Sequence, residues 1–310
     1  MISIKSVSYF IPEKKLKVSE NFDRYNINSY EAKVYEKIYG LQEIPCAKGL
    51  TNQELIINPI RHLIESTKID TNSIQYLIHA HTAKVITRFG RSVIRDVKTE
   101  LGLDHAFAFG TSLNNCASVL NAFEMAGMLL KNEDKHVKAI VVTGERAFTP
   151  TIQVIPNTSI MGDAAAAALI SLHHENNKLL HLEMATDGRY SQGIWLNEKD
   201  AYEFEKNYVS FLSETILRAV NKVNLTLEKI SWILPHNVNR ISWINVSKSL
   251  QFPIEKIYLK NIKKYAHCFG SDILINFSDV VEAGLLRSGD YYLMVTVGLG
   301  ATFGVAVFRF

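Results

Sequence analysis

The chain has 310 residues, of which 47% are hydrophobic and 21% are charged, a composition typical of a globular protein. Its 34 basic and 31 acidic residues leave a net charge of +3, which is too small to indicate binding to nucleic acid or to an anionic membrane. Three scattered cysteines argue against a disulfide framework or a zinc site, and no apolar run approaches the roughly 20 residues that span a bilayer. We therefore expect a reduced, cytoplasmic, enzyme-sized protein with no signal peptide and no metal ion.

Apolar runs of strand length alternate with amphipathic runs along the whole chain. Strands are predicted at 4–11, 76–81, 106–109, 138–143 and 165–172, and then at 179–186, 232–236, 256–259, 292–297 and 304–310. Helices are predicted at 53–66, 92–101, 117–131, 208–223, 241–250 and 273–283. This alternation predicts a layered α/β fold whose sheets are covered on both faces.

A polar stretch near residue 175 divides the chain into two halves with the same rhythm of strands and helices. We predict an N-terminal half over residues 1–172 and a C-terminal half over residues 178–310. No linker rich in Pro, Gly or Ser separates them, so the two halves are expected to share one core.

Cys116 lies where the predicted strand 106–109 is followed by a helical pattern. Val119, Leu120 and Phe123 recur at helical spacing, so the helix is expected to begin near the cysteine. A thiol at a helix N-terminus meets unpaired N–H groups and the positive end of the dipole, and both favour the nucleophilic thiolate. A single cysteine in an apolar stretch is more often a core residue, so its role depends on residues further along the chain.

Four later segments that could contribute to a reactive site lie at the ends of predicted elements: 161–168, 232–239, 265–272 and 297–304. His236 ends an apolar strand, which turns its imidazole into a crevice at the strand ends. One thiol and two histidines suit covalent acyl transfer, in which the thiolate attacks a thioester and a histidine moves a proton. Backbone N–H groups at the helix start and in the turn 298–300 could hold the oxyanion.

The order Cys116, Gly162-Asp163, Pro235-His236-Asn-Val-Asn239, His267 and Gly298-Leu-Gly resembles the ketoacyl-acyl-carrier-protein synthase III branch of the thiolase superfamily. The resemblance runs over nearly the whole chain. It implies a thiolase-like five-layered αβαβα fold of two pseudo-duplicated halves, assembled as a homodimer. It also implies acyl-CoA or an acyl carrier protein as substrate, with no further cofactor.

The resemblance carries over residue by residue. It implies Cys116 as the acylated nucleophile and His236 as the residue that polarises the carbonyl of the second substrate or acts as general base. The backbone N–H groups of Cys116 and Leu299 match the two oxyanion-hole donors. Three residues match substrate-binding positions: Asn239 beside the pantetheine arm, Gly162 and Gly298. Packing alone is an equally open explanation for Gly162.

His267 stands where this branch has asparagine, and two interpretations stay open. Two histidines could stabilise the enolate formed when a malonyl thioester loses carbon dioxide, as in the elongating ketoacyl synthases. Alternatively, His267 could accept a proton from an attacking alcohol or amine, giving an ester or amide. Asp272 could orient His267, although an N-cap for the helix that follows is the more ordinary expectation.

Other departures concern the donor and the acyl pocket. The stretches 36–42 and 153–159, which match the coenzyme A clamp, lack the expected arginine, which favours a carrier protein as donor. Lys260, Lys263 and Lys264 could dock an acidic carrier, or form an ordinary solvated face. Arg88-Phe-Gly-Arg91 lies where dimers of the family insert a loop into the partner's acyl pocket. The charge of this segment would disfavour long unsubstituted acyl chains there. Solvent exposure of the segment is the simpler explanation.

The predicted function is a dimeric acyltransferase of a specialised secondary-metabolite or lipid pathway, acting by decarboxylative carbon–carbon condensation. An ester- or amide-forming acyltransferase is the alternative. A non-catalytic partner subunit of a heterodimeric synthase is a third possibility, and the presence of Cys116 and His236 argues against it.

Overall fold

The computed structural model describes residues 2–82 and 89–310, so Arg88 lies outside the described residues. The strands are β1 (Ser3–Phe10), β2 (Lys15–Lys17), β3 (Glu43–Pro45), β4 (Ile74–Ala80), β5 (Phe107–Thr111), β6 (Lys138–Glu145), β7 (Val154–Ile155), β8 (Ser159–Ile160), β9 (Ala164–Ser171), β10 (Lys178–Thr186), β11 (Ile230–Pro235), β12 (Tyr291–Gly298) and β13 (Thr302–Arg309). The helices are α1 (Ser29–Val34), α2 (Asn52–Thr67), α3 (Val93–Glu100), α4 (Ser118–Leu130), α5 (Pro150–Gln153), α6 (Glu198–Lys222), α7 (Arg240–Leu250), α8 (Lys260–Tyr265) and α9 (Asp272–Glu282). Within the described ranges, no helix is both long enough and apolar enough to cross a membrane.

Nine strands form one hydrogen-bonded ladder in the order β11-β12-β13-β10-β1-β9-β6-β4-β5. The N-terminal half supplies β1, β9, β6, β4 and β5, and the C-terminal half supplies the other four. The two sets meet where Ser3 of β1 pairs with Lys178 of β10. In each set a parallel pair, β4–β6 or β11–β12, is followed by an antiparallel neighbour, so this strand pattern recurs between the halves.

Helices cover both sets of strands and fill the space between them. The apolar faces of α2 and α3 pack on the N-terminal strands, and those of α6 and α7 pack on the C-terminal strands. Between the two sets, α4 and α9 bury residues such as Phe123 and Phe277 against strands of both halves. The order helix, sheet, helix, sheet, helix confirms the predicted five-layered fold.

Nine of the ten predicted strands correspond to strands of the large sheet, with ends shifted by a few residues. The strand predicted at 256–259 is wrong. Residues Ile254–Lys256 form a 3-10 turn after Pro253, and only Ile257 makes an isolated bridge, to Ile233. The chain enters α8 three residues later, which leaves no length for a ladder.

The helix predicted at 208–223 is longer than expected. It begins at Glu198, where the Asn197 side chain accepts a hydrogen bond from the backbone N–H of Asp200 and so caps the N-terminus. The sequence prediction also missed the short antiparallel pairs β2–β3 and β7–β8, because strands of two or three residues are too short for an alternating pattern to be recognised.

The turn between β12 and β13 runs against the segment that carries Cys116. A Cβ atom added to Gly298 would lie 1.9 Å from the carbonyl oxygen of Asn114, so only glycine fits this approach. Asn115 Nδ2 donates to the Leu299 carbonyl at 2.5 Å, and Thr302 Oγ1 donates to Asn114 Oδ1 at 3.3 Å. The last hairpin of the C-terminal half therefore holds the cysteine turn of the N-terminal half.

Gly298→Ala should destabilise the protein, because either the Asn114 turn or the β12–β13 turn must move to admit the methyl group. We expect the free energy of unfolding in urea to fall by about 1–3 kcal/mol or more, as for other overpacked sites. Gly188→Ala is the matched control, since a Cβ atom there meets no atom within 4 Å. Equal unfolding midpoints for the two variants would contradict the close approach.

Candidate active site

Cys116 lies in a 3-10 turn, Asn115–Ala117, that leads directly into α4. Asn115 adopts the left-handed conformation with φ of 49°, which sets the sharp turn before the cysteine. The cysteine is 5% exposed, and its Sγ lies 3.6 Å from His267 Nε2 and 3.5 Å from Thr82 Oγ1. The structure thus brings the predicted nucleophile and one predicted histidine into contact.

His267 lies between Cys116 and Asp272. Its Nδ1 donates to Asp272 Oδ2 at 2.5 Å, while Nε2 faces the sulfur on the other side of the ring. Asp272 is fully buried and also accepts from the backbone N–H groups of Asn237 at 2.6 Å and Cys268 at 2.7 Å. The N-cap expected at Asp272 is wrong, because Ser271 precedes α9 and the carboxylate instead orients His267.

His236 follows β11 and faces His267 across the site. The two ring centroids are 5.8 Å apart and the rings are inclined at 63°. His236 is 2% exposed, its Nε2 lies 3.2 Å from the Tyr208 hydroxyl, and its ring packs against the edge of Trp243. The two predicted histidines therefore lie next to each other, and one of them, His267, contacts the cysteine.

The two histidines carry different charges. Burial, and then the charge of His267, lower the pKa of His236 to about 3, and a weaker opposing effect of the Val295 carbonyl does not offset this. Burial also disfavours charge on His267, but negative charge at Asp272 and at Cys116, with hydrogen bonds to both, raises the pKa of His267 to about 10. At neutral pH the site holds a neutral imidazole beside an imidazolium.

The remaining predicted site residues lie close by, and some of their polar groups already form hydrogen bonds within the protein. Asn239 caps α7 by accepting from the backbone N–H of Ser242 at 2.7 Å, and its Nδ2 donates to the Thr158 carbonyl at 3.1 Å. Leu299 adjoins the cysteine turn through its contact with Asn115. The substrate and oxyanion roles of Asn239, Leu299 and the Cys116 N–H stay predictions.

Both predicted glycines are explained by packing. A Cβ atom on Gly162 would lie 2.8 Å from the Pro45 ring and from the Tyr265 carbonyl, and the Gly162 N–H donates to the His267 carbonyl at 2.8 Å. Gly162 thus positions the His267 loop, as Gly298 positions the cysteine turn. Substrate contact by either glycine stays a prediction.

Two residues beside the reactive groups were missed by sequence reasoning. Thr82 follows β4, and its place at the carboxyl end of a parallel strand is a signal that could have found it. Tyr208 lies inside α6, where no sequence signal distinguishes it from other aromatic residues on the helix. Cys268 is also buried near the site, and burial raises the pKa of its thiol well above the usual value and keeps it neutral. In residues 2–82 and 89–310, no group of three or more His, Cys, Asp or Glu side chains is placed to hold a metal ion.

The chain is similar to known proteins in sequence. Residues 220–310 match the family model of the 3-oxoacyl-[acyl-carrier-protein] synthase III C-terminal domain. A β-ketoacyl-[acyl-carrier-protein] synthase III from Wolbachia pipientis is 23% identical over 323 aligned residues, covering 99% of this chain and 98% of its own length.

Solved structures show the same fold over the whole chain. The 3-oxoacyl-[acyl-carrier-protein] synthase III of Aquifex aeolicus superposes with a TM-score of 0.83 at 20% identity, covering 100% of both chains. ChlB3, described as an acyltransferase, superposes with a TM-score of 0.86 at 18% identity, covering 99% of this chain and 97% of its own. The chain is therefore similar to the ketoacyl-acyl-carrier-protein synthase III proteins in sequence, and its fold is the fold of their solved structures.

Proposed function

We propose that Cys116 accepts an acyl group from a CoA or carrier-protein thioester and passes it to a second substrate in a specialised secondary-metabolite or lipid pathway. The observation that carries this proposal is the buried line Asp272–His267–Cys116, in which each contact is within hydrogen-bond reach. The His267 that replaces the expected asparagine is the reason for proposing a specialised pathway.

In the first step, the Cys116 thiolate attacks the carbonyl carbon of the donor thioester. The backbone N–H groups of Cys116 and Leu299 would hold the resulting oxyanion. When the intermediate collapses, the carbon–sulfur bond of the donor breaks, and the departing thiolate takes a proton from His267 Nε2. The acyl group is then bound to Cys116 Sγ and His267 is left neutral, held by Asp272.

In the second step, we propose decarboxylation of a malonyl thioester. His267 Nε2 first takes a proton back from solvent. The bond to the carboxylate then breaks, carbon dioxide leaves, and the electron pair forms an enolate whose oxygen lies between His236 and His267. The enolate carbon attacks the acyl carbonyl, a carbon–carbon bond forms, and Cys116 leaves as thiolate beside the protonated His267. Support comes from the two facing imidazoles, one of which contacts the sulfur, because both rings can then approach one substrate oxygen.

An ester- or amide-forming transfer is the second candidate, and one observation favours it. After the first step His267 is neutral, and its Nδ1 bond to Asp272 orients Nε2 to accept a proton from an attacking alcohol or amine. The proton then passes from the acceptor to His267, and no carbon dioxide is formed.

The proposed donor is a carrier-borne thioester rather than free acyl-CoA. A cavity of about 360 Å³ opens beside the segment 154–157, and its lining includes Tyr25, Tyr35, Trp195 and the acidic Glu31. No lysine or arginine is among the described residues that line it, so a nucleotide would find no cation there. Lys260, Lys263 and Lys264 are exposed on α8, directly before the His267 loop, and offer an acidic carrier a docking face.

The proposed assembly is a homodimer formed along β5. This strand is the last of the ladder, and in the described part of the chain it pairs only with β4. Phe107 is 60% exposed and Leu113 is 81% exposed, so the edge presents both unpaired backbone groups and apolar side chains. A second copy of β5 would cover both.

Acylation is tested by incubating the protein with malonyl and alkyl thioesters of CoA and of carrier protein and measuring intact mass. We expect the wild type to gain one acyl group and Cys116→Ala to gain none, with Cys268→Ala acylated normally as the control for a buried thiol. If no donor adds mass, or if Cys116→Ala still gains it, the proposed function fails. Carbon dioxide release from the malonyl thioester then separates condensation from ester or amide formation.

Asp272→Asn should introduce a pH dependence that the wild type lacks. In the wild type, His236 stays neutral above its pKa of about 3 and His267 stays protonated up to about 10, so acylation should be flat between about pH 5 and about pH 8. Without the carboxylate, burial lowers the pKa of His267, and the proton needed by the leaving thiolate is lost as pH rises. We expect a loss of about 100-fold near pH 8 that recovers partly toward pH 5.

Two controls accompany this measurement. Asp272→Glu keeps the charge and should retain the flat profile, and Asp134→Asn changes an exposed carboxylate far from the sulfur. Thermal denaturation of each variant monitors folding. A profile of Asp272→Asn that is parallel to the wild type would show that Asp272 does not hold the His267 proton.

Phe107→Glu should separate the dimer, because it places a charge on the apolar edge of β5. Sedimentation velocity at micromolar concentration should give a dimer for the wild type and a monomer for the variant. Tyr202→Glu, at an equally exposed aromatic residue on α6, should remain dimeric. A monomeric wild type, or a dimeric Phe107→Glu, would exclude assembly through this edge.

A further inference from the structure

Tyr208 contacts His236 but has no part in the transfer steps proposed above. It lies in the middle of α6, and its hydroxyl oxygen is 3.2 Å from His236 Nε2. Its ring packs against Phe204 and Phe303, with centroids 5.8 and 5.9 Å away. This packing aims one hydroxyl group from an aromatic cluster at an active-site imidazole.

His236 has few other polar contacts. Its Nδ1 is buried and has no hydrogen-bond partner in residues 2–82 and 89–310. The neighbouring Trp243 donates its indole N–H to the His236 carbonyl at 2.9 Å and touches the imidazole only through its ring. Among the described residues, the Tyr208 hydroxyl is therefore the one side-chain group within hydrogen-bond distance of a ring nitrogen of His236.

The contact joins two uncharged groups. Burial raises the pKa of Tyr208, so the phenol keeps its proton, and burial with the nearby charge of His267 lowers the pKa of His236. A bond between neutral partners contributes modestly to stability, but its dependence on angle fixes direction. The opposite histidine differs, because Asp272 and Cys116 bond to both of its ring nitrogens.

We propose that Tyr208 is a positioning residue for His236, whose hydroxyl bond to Nε2 holds the imidazole facing the acylated cysteine during the transfer step. The inference rests on the proposed function, because His236 acts on a second substrate only after Cys116 is acylated. Without the hydroxyl, the ring is held by packing alone and turns away from the productive direction for part of the time.

Tyr208→Phe tests the proposal, since it removes the hydroxyl and keeps the ring that packs on Phe303. We expect acylation of Cys116 to change by less than about 2-fold, while transfer to the second substrate slows by about 10-fold to 100-fold. The nitrogen NMR signal of His236 Nε2 should shift as it loses its partner. Adding Tyr208→Phe to His236→Ala should cause no further loss, because Tyr208 acts only through His236.

Tyr190→Phe is the matched control. Its hydroxyl is buried without a partner among the described residues, and its ring packs on the same Phe204 at 5.0 Å. This variant should leave both half-reactions and the His236 signals unchanged. Equal effects of the two variants, or an additional loss in the double variant, would overturn the proposal. If the wild type is never acylated, the proposed function fails by itself, and the His236 signals still decide whether Tyr208 holds the ring.

Discussion

The buried carboxylate of Asp272 holds together the two loops on which the site depends. It accepts hydrogen bonds from the His267 ring, from the Cys268 backbone and from both the backbone and the side chain of Asn237. Asn237 directly follows His236, so one carboxylate joins the loop after β11 to the loop before α9. A buried charge is costly unless it is fully hydrogen-bonded, and this one is bonded at both oxygens.

Asn276 extends this network. Its side-chain nitrogen donates to the Pro235 carbonyl and to Asn237 Oδ1, while its oxygen accepts from Asn261 on α8. All of these side chains are fully buried in a core that is otherwise apolar. Because each bond in such a network fixes the geometry of the next, the distance between the two histidines is set by groups outside the site itself.

The two histidines differ in protonation because their surroundings differ. The Asp272 carboxylate and Cys116 flank His267 and raise its pKa in spite of burial. Burial, and then the charge of His267, lower the pKa of His236, whose other neighbours are the Tyr208 phenol and the Trp243 indole. The charged imidazole of His267 gives the site a proton to donate. The neutral imidazole of His236 can form a hydrogen bond without adding a second positive charge.

The sequence by itself determined the layered fold. The spacing of apolar residues along a strand or helix indicates which face is buried, and no knowledge of tertiary contacts is needed. The sequence also indicated the candidate reactive residues: Cys116, His236 and His267 fall at the ends of predicted elements, where a sheet presents side chains to a crevice. The failed strand at 256–259 shows the limit of this reasoning, since its apolar pattern is real but the segment meets β11 only at a single bridge, from Ile257 to Ile233.

Only the tertiary structure decided how those residues act. Cys116 and His267 are 151 positions apart, and Tyr208 is 28 positions from His236, so no local pattern encodes their distances. The local sequence suggested that Asp272 caps a helix. In the folded protein its carboxylate instead contacts the His267 imidazole, and both groups are buried. Charge states follow from burial and neighbouring charge, and both are properties of the packed molecule rather than of any segment of its sequence.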